Sequence, residues 1–148
     1  MHVVRRLPIV LVAVLALAAC GSGHKKVSGG PHGPSAQEQI RTNYARFFAS
    51  KTPLDVRVRL LQNGSQFKPV IQAFANNPLA KNVSATVSSV QLQGPNNAKV
   101  VYQVKFSGSS LPKQTGTAVR QDGTWKVGFA SLCKLVALGG SPPSACKS

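Results

Sequence analysis

Few groups in this 148-residue chain could do chemistry. Its histidines are His2, His24 and His32, so the stretch from residue 35 onward lacks both the usual general base and the commonest metal ligand. The carboxylates are Glu38, Asp55 and Asp122. Ser35-Ala36-Gln37-Glu38 is a capping-box pattern, which gives Glu38 a structural role. Asp122-Gly123 is a two-residue hairpin signal, which accounts for Asp122. Asp55 alone remains as a pocket base, and a place in the first turn of a helix explains it well. No paired carboxylates suit glycoside hydrolysis, and no nucleophile elbow, phosphate loop or zinc spacing is present. Nothing singles out a serine or lysine nucleophile. The expectation is a protein with no catalytic residue, no cofactor and no metal site.

Cysteine is the remaining reactive type, at positions 20, 133 and 146. Cys20 closes a short N-terminal pattern. Arg5 and Arg6 are a positive start, and Leu7 to Ala19 is an apolar run too short to span a bilayer but suited to a signal peptide. It ends in Leu17-Ala18-Ala19-Cys20-Gly21, which resembles the bacterial lipobox. That resemblance implies cleavage between Ala19 and Cys20 and diacylglycerol on the Cys20 thiol, with palmitate-type acyl chains. Each buried methylene contributes about 0.8 kcal/mol, and two chains anchor stably where one does not. Residues 21–34 are rich in Gly and Pro and read as a tether. Its extended reach is about 50 Å at roughly 3.5 Å per residue, and its span as a coil is nearer ~20 Å. The expected organisation is a signal peptide over 1–19, a lipidated cysteine and tether over 20–34, and a single domain over 35–148. The expected location is the extracytoplasmic face of the cell membrane. With Cys20 acylated, Cys133 and Cys146 are an even pair in an oxidising compartment, and a disulfide is the default reading.

The formal charge is +15; without Arg5 and Arg6, 16 basic and 3 acidic side chains leave +13. Such a charge usually points to nucleic acid, but export argues against it. Anionic lipid headgroups or anionic wall polymers are the partners to be met outside the membrane, and the plainer reading is a solvated basic surface. No protein partner is indicated.

Several elements must position these residues. Ser35 opens a helix whose Ile40, Tyr44, Phe47 and Phe48 form one apolar stripe. Over 54–60 strict alternation suits a strand, with Arg57 and Arg59 then sharing a face, while Thr52-Pro53-Leu54-Asp55 suits a helix start with Thr52 as N-cap and Pro53 at the first position. A short helix ending near Asn63-Gly64 is expected. Phe67, Val70, Ile71 and Phe74 have helical spacing over about 66–76, with Asn77-Pro78 as the stop.

The second half alternates with period two. Val83, Ala85 and Val87 change parity to Val90 and Leu92, which predicts a bulge near Ser88-Ser89. Ala98, Val100, Tyr102, Val104 and Phe106 define a second strand, about 113–120 a third, and Trp125, Val127 and Phe129 a fourth. Lys99, Lys105 and Lys126 fall on the opposite faces. Ser131 is placed to cap a last helix that stops at Gly139-Gly140. Each strand has one apolar face, and the helices are its cover. The predicted class is α+β: N-terminal helices packed on a curved four-stranded antiparallel sheet, with a short C-terminal helix.

Three stretches, FKPVIQAFANNPLAK, VSATVSSVQLQG and DGTWKVGFASLCKLVALGG, followed by a Pro-Pro-x-x-Cys tail, resemble the actinobacterial low-molecular-weight antigen family over about residues 36–146. The resemblance implies a cone-shaped fold like that of nuclear transport factor 2 and cystatin-like domains. It implies no reaction. Cones of this kind often hold an apolar pocket, and Tyr44, Phe47, Phe74, Tyr102 and Trp125 are the candidates to line it or, alternatively, to fill the core. Three functions compete. The first is a non-catalytic envelope module binding anionic or amphiphilic components. The second is an isomerase- or dehydratase-type pocket enzyme, which needs Asp55 inside a cavity. The third is a protein-interaction scaffold in the envelope.

Overall fold

The computed structural model describes residues 33–138, 140 and 142–147. The expected signal peptide, the Ala19–Cys20 cleavage and lipidation site, and nearly all of the tether lie outside the described residues.

Helix α1, Ala36–Phe48, starts where the capping box predicts. Ser35 Oγ accepts from the Glu38 backbone N–H at 3.3 Å, and Glu38 Oε2 accepts from the Ser35 N–H at 2.8 Å. That hydrogen bonding holds the Glu38 carboxyl below its ordinary pKa. Ile40, Tyr44, Phe47 and Phe48 are all buried.

Helix α2, Leu54–Leu60, confirms the helical reading of this segment but not its cap. Pro53 occupies the N-cap position, and Thr52 Oγ1 instead donates to the Arg46 carbonyl at 2.6 Å. The helix stops at Leu60, short of Asn63-Gly64, because Leu61 turns extended and bridges in parallel to Val127. Helix α3, Lys68–Asn76, carries Pro69 in its first turn, where the missing N–H costs no helical bond.

Strands β1, Val83–Leu92, and β2, Asn97–Phe106, run antiparallel from Val83↔Phe106 to Leu92↔Ala98. The register slips between Val87 and Ser89, where the parity change places the bulge. A two-residue strand β3, Ser109–Ser110, pairs with the end of β2 and is an addition to the four strands expected. Strands β4, Gln114–Gln121, and β5, Thr124–Val127, form a hairpin through Asp122 and Gly123. Both turn residues have positive φ, 53° and 74°, as a type I′ turn requires. The main path of the sheet is β1-β2-β4-β5.

Helix α4, Phe129–Leu138, begins before Ser131, so that residue lies inside the first turn rather than at the cap. Phe129 consequently leaves the strand and stacks on Phe67, ring centroids 5.3 Å apart. The chain returns so that Cys146, in a 3₁₀ turn over Ser144–Cys146, is disulfide-bonded to Cys133 with Cα atoms 5.5 Å apart.

The sheet curls because α1 packs against both of its outer strands, β1 and β5. Two side chains fix that wrap. Arg41 Nη1 donates to the Val87 carbonyl at the bulge, at 2.7 Å. Asn43 Nδ2 donates to the Trp125 carbonyl, at 2.7 Å. The result is a mixed α+β domain in which helices precede a curled antiparallel half-barrel and a last helix follows it. That arrangement is compatible with the predicted cone. No helix among the described residues is long and apolar enough to cross a membrane.

Candidate functional site

The five aromatic candidates do not converge on one pocket. Tyr44, Phe47, Tyr102 and Trp125 are buried and belong to the core between α1 and the sheet. The Tyr44 ring lies 5.2 Å from Tyr102, and Phe48 stacks on Tyr102 at 5.6 Å. Phe74 lies apart, half-buried on α3.

The buried hydroxyls of Tyr44 and Ser131 close a hydrogen-bonded ring with the Thr117 backbone at the edge of this core, and Tyr102 joins it. The Thr117 N–H donates to Ser131 Oγ at 3.1 Å. Tyr44 Oη donates to the Thr117 carbonyl at 2.5 Å, which spends its only proton. Ser131 Oγ therefore donates to Tyr44 Oη, 3.1 Å away. Tyr102 Oη donates to the Ser131 carbonyl at 3.3 Å. Every member is satisfied, so the ring docks α4 onto β4 rather than presenting a reactive group. Burial holds the Tyr44 hydroxyl above the usual tyrosine range and pushes Tyr102 up to about 12. Both are neutral at physiological pH. Gly116 makes room for the ring: a Cβ there would overlap Ser131 Oγ.

Asp55 is exposed at the start of α2 and pairs with Arg59 at 2.8 Å. It is not enclosed, which ends the pocket-enzyme reading that needed it in a cavity. Lys99 and Lys105 are exposed on the outer sheet face, as expected. Lys126 departs from that pattern: its side chain is 15% exposed and pairs with Asp122 at 3.2 Å. All three carboxylates are thus engaged locally, by Ser35, Arg59 and Lys126. Among the described residues no cluster of three His, Cys, Asp or Glu could hold a metal ion.

An open, mostly apolar cleft lies between α3 and α4. This cleft of about 420 Å³ is lined by Pro69, Val70, Ala73 and Phe74 on one side and by Leu135, Val136 and Pro143 on the other. Its size falls in the range of about 300–1,000 Å³ typical of small-molecule sites. The disulfide-bounded return of the chain supplies Gly140 and Pro143 to its wall. A second apolar hollow of about 270 Å³, lined by Phe106, Leu111 and Leu138, shares Asn77 and Leu135 with the first. Leu138 is 60% exposed at its mouth.

Arg57 does not itself line this cleft but lies behind Phe74, which does, and the sequence pattern did not single it out. It is 2% exposed. Its Nη2 donates to the carbonyls of Ala49 at 2.7 Å and Ser50 at 3.2 Å. Its Cζ lies 5.9 Å from the centre of the Phe74 ring, a cation–π contact. Nε and Nη1 are buried without a hydrogen-bond partner. Burial lowers the pKa of the guanidinium, yet arginine stays charged in proteins. The signal for burial was available: in a helix, position 57 shares a face with Leu54 and Leu60, whereas strand alternation put it outside.

The fold and the site together define a disulfide-closed α+β half-barrel bearing an apolar cleft, with a histidine-free domain around it. The chain belongs to the family described as low molecular weight antigen MTB12, C-terminal domain, which matches residues 33–143. No curated protein and no solved structure matches the chain.

Proposed function

We propose that this protein is a lipid-anchored, non-catalytic module of the cell envelope, held on the extracytoplasmic face of the membrane, that binds amphiphilic or anionic envelope components. Anchoring rests on Leu17-Ala18-Ala19-Cys20-Gly21 and the Gly- and Pro-rich stretch that follows. The observation that carries the binding half is the open apolar cleft between α3 and α4, on a domain whose carboxylates are all engaged locally. The apolar walls suit a hydrocarbon chain. The basic surface favours an anionic neighbourhood, with a range of about 8 Å at physiological salt.

Two measurements test it. Metabolic labelling with a palmitate analogue should mark the protein, and Cys20→Ser should abolish the label and release the protein from membranes. An unlabelled protein whose processing ignores Cys20→Ser ends the anchoring half. For binding, mature Cys20→Ser protein should co-sediment with anionic vesicles more than with neutral ones at low salt, and a fluorescent amphiphile should be displaced by unlabelled amphiphile. Equal partitioning to both vesicle types removes the electrostatic component, and no displaceable amphiphile binding removes the cleft.

A further inference from the structure

We propose that Arg57 is an internal receptor for the head group of a long-chain carboxylate whose tail lies in the α3–α4 cleft; this rests on the cleft-binding reading and names its ligand class. Two observations meet here. The first is a charged group in an unusual setting. Arg57 is the largest fully buried side chain of the domain, and its hydrogen-bond acceptors are two neutral carbonyls. An interior cation without a counter-ion is costly, and each unpartnered N–H adds its own desolvation penalty. Nε and Nη1 are two such groups. No carboxylate of the described residues reaches them, since Glu38, Asp55 and Asp122 are engaged elsewhere. A ligand carboxylate supplies both the acceptor and the opposite charge.

The second observation is the route. Phe74 contacts Arg57 on one side and lines the cleft on the other. It is half-buried and packs at the edge of the core, and a rotamer change of this ring is the step that would bring a head group to the guanidinium. The cleft beyond it is apolar, and the adjoining hollow at Phe106, Leu111 and Leu138 extends the space for a tail. A buried cation behind an open, mostly apolar cleft favours a single-chain amphiphilic anion over a neutral lipid.

The test compares dodecanoate with dodecan-1-ol, below their aggregation concentrations, on mature Cys20→Ser protein. Among the described residues the buried core starts at Ile40, so the mature chain retains it. Dodecanoate should bind at least about tenfold more tightly, a difference of ~1.4 kcal/mol, and should shift the Arg57 Nε–H resonance in a proton–nitrogen correlation spectrum. Dodecan-1-ol should leave that resonance in place. Ala73→Trp, at an exposed cleft position, should block both ligands while leaving the circular dichroism unchanged. Arg57→Gln should equalise the two affinities; if this variant does not fold, the wild-type resonance still decides. Equal binding of both ligands, or an unmoved Nε–H, overturns the role of Arg57 and leaves the cleft reading intact. Binding that survives Ala73→Trp places the ligand elsewhere and overturns the proposal. No binding of either ligand overturns the cleft reading as well.

Discussion

Replacing Ser131 by Ala removes one oxygen from the ring that docks α4 on β4. The consequences for its neighbours differ. Tyr44 Oη keeps its donation to the Thr117 carbonyl, and that carbonyl also accepts from the Gly128 N–H at 2.7 Å. The Tyr102 hydrogen bond goes to the Ser131 backbone and survives. The Thr117 N–H loses the acceptor that satisfies it, and Ser131 is fully buried, so access for a replacement water is poor. A buried donor left without a partner costs about 1–3 kcal/mol. The expected loss of unfolding free energy is therefore about 2 kcal/mol, or roughly 8–16 °C in Tm for a domain near 100 residues. Tyr44→Phe should cost less, about 1 kcal/mol, because it leaves the Thr117 carbonyl bonded and strands only a hydroxyl that can rotate. Urea unfolding followed by Trp125 fluorescence measures both, with Ser144→Ala, on the exposed 3₁₀ turn, as a neutral control. A Ser131→Ala loss under about 0.5 kcal/mol, or a Tyr44→Phe loss larger than that of Ser131→Ala, would refute the assignment of protons around the ring.

Other perturbations follow from the same geometry. Gly116→Ala should destabilise by about 3 kcal/mol, because the new methyl would overlap Ser131 Oγ and approach Tyr102 Cε1 to 2.9 Å; thermal unfolding checks this. The tyrosine pKa values are raised in the fold, so their contribution to stability is complete below the unfolded value near ~10 and is lost as pH rises toward the folded values, about 12 for Tyr102. Tyrosinate absorbance should therefore appear together with cooperative unfolding, and a smooth non-cooperative titration near the ordinary value would count against burial of the two. Cys133→Ser with Cys146→Ser opens a link of sequence separation 13. The double variant should lose about 3 kcal/mol and weaken amphiphile binding, since Gly140 and Pro143 lie within the closed loop and line the cleft.

Family membership and the cleft bear on different levels of the protein. The matched segment, residues 33–143, covers the half-barrel and both walls of the cleft. The lipobox-like sequence precedes it. The proposed anchoring and the proposed ligand binding are accordingly separable in experiment: Cys20→Ser tests the first, and Ala73→Trp or Arg57→Gln the second.

What the residues by themselves determined is what short-range chemistry controls. The capping box at Ser35 and Glu38 needs only a four-residue span, and it forms. The parity change in β1 and the Asp122-Gly123 pair fix a bulge and a turn locally. The composition alone leaves the domain without histidine, and two cysteines with one partner each available pair as expected. The tertiary structure decided the rest, because those outcomes depend on groups far apart in the chain. Ser131 reads as a helix cap until Tyr44, 87 residues away, meets it. Phe74 reads like the other aromatic residues, yet α3 packs beside α2 and places it over Arg57 instead of in the core with Tyr44 and Tyr102. Arg57 reads as a surface charge on alternation alone; it is buried because the segment is a helix whose inner face must include position 57. Burial of a charge is a property of the surroundings, and only the folded arrangement of α2, α3 and the Ala49–Ser50 carbonyls supplies them.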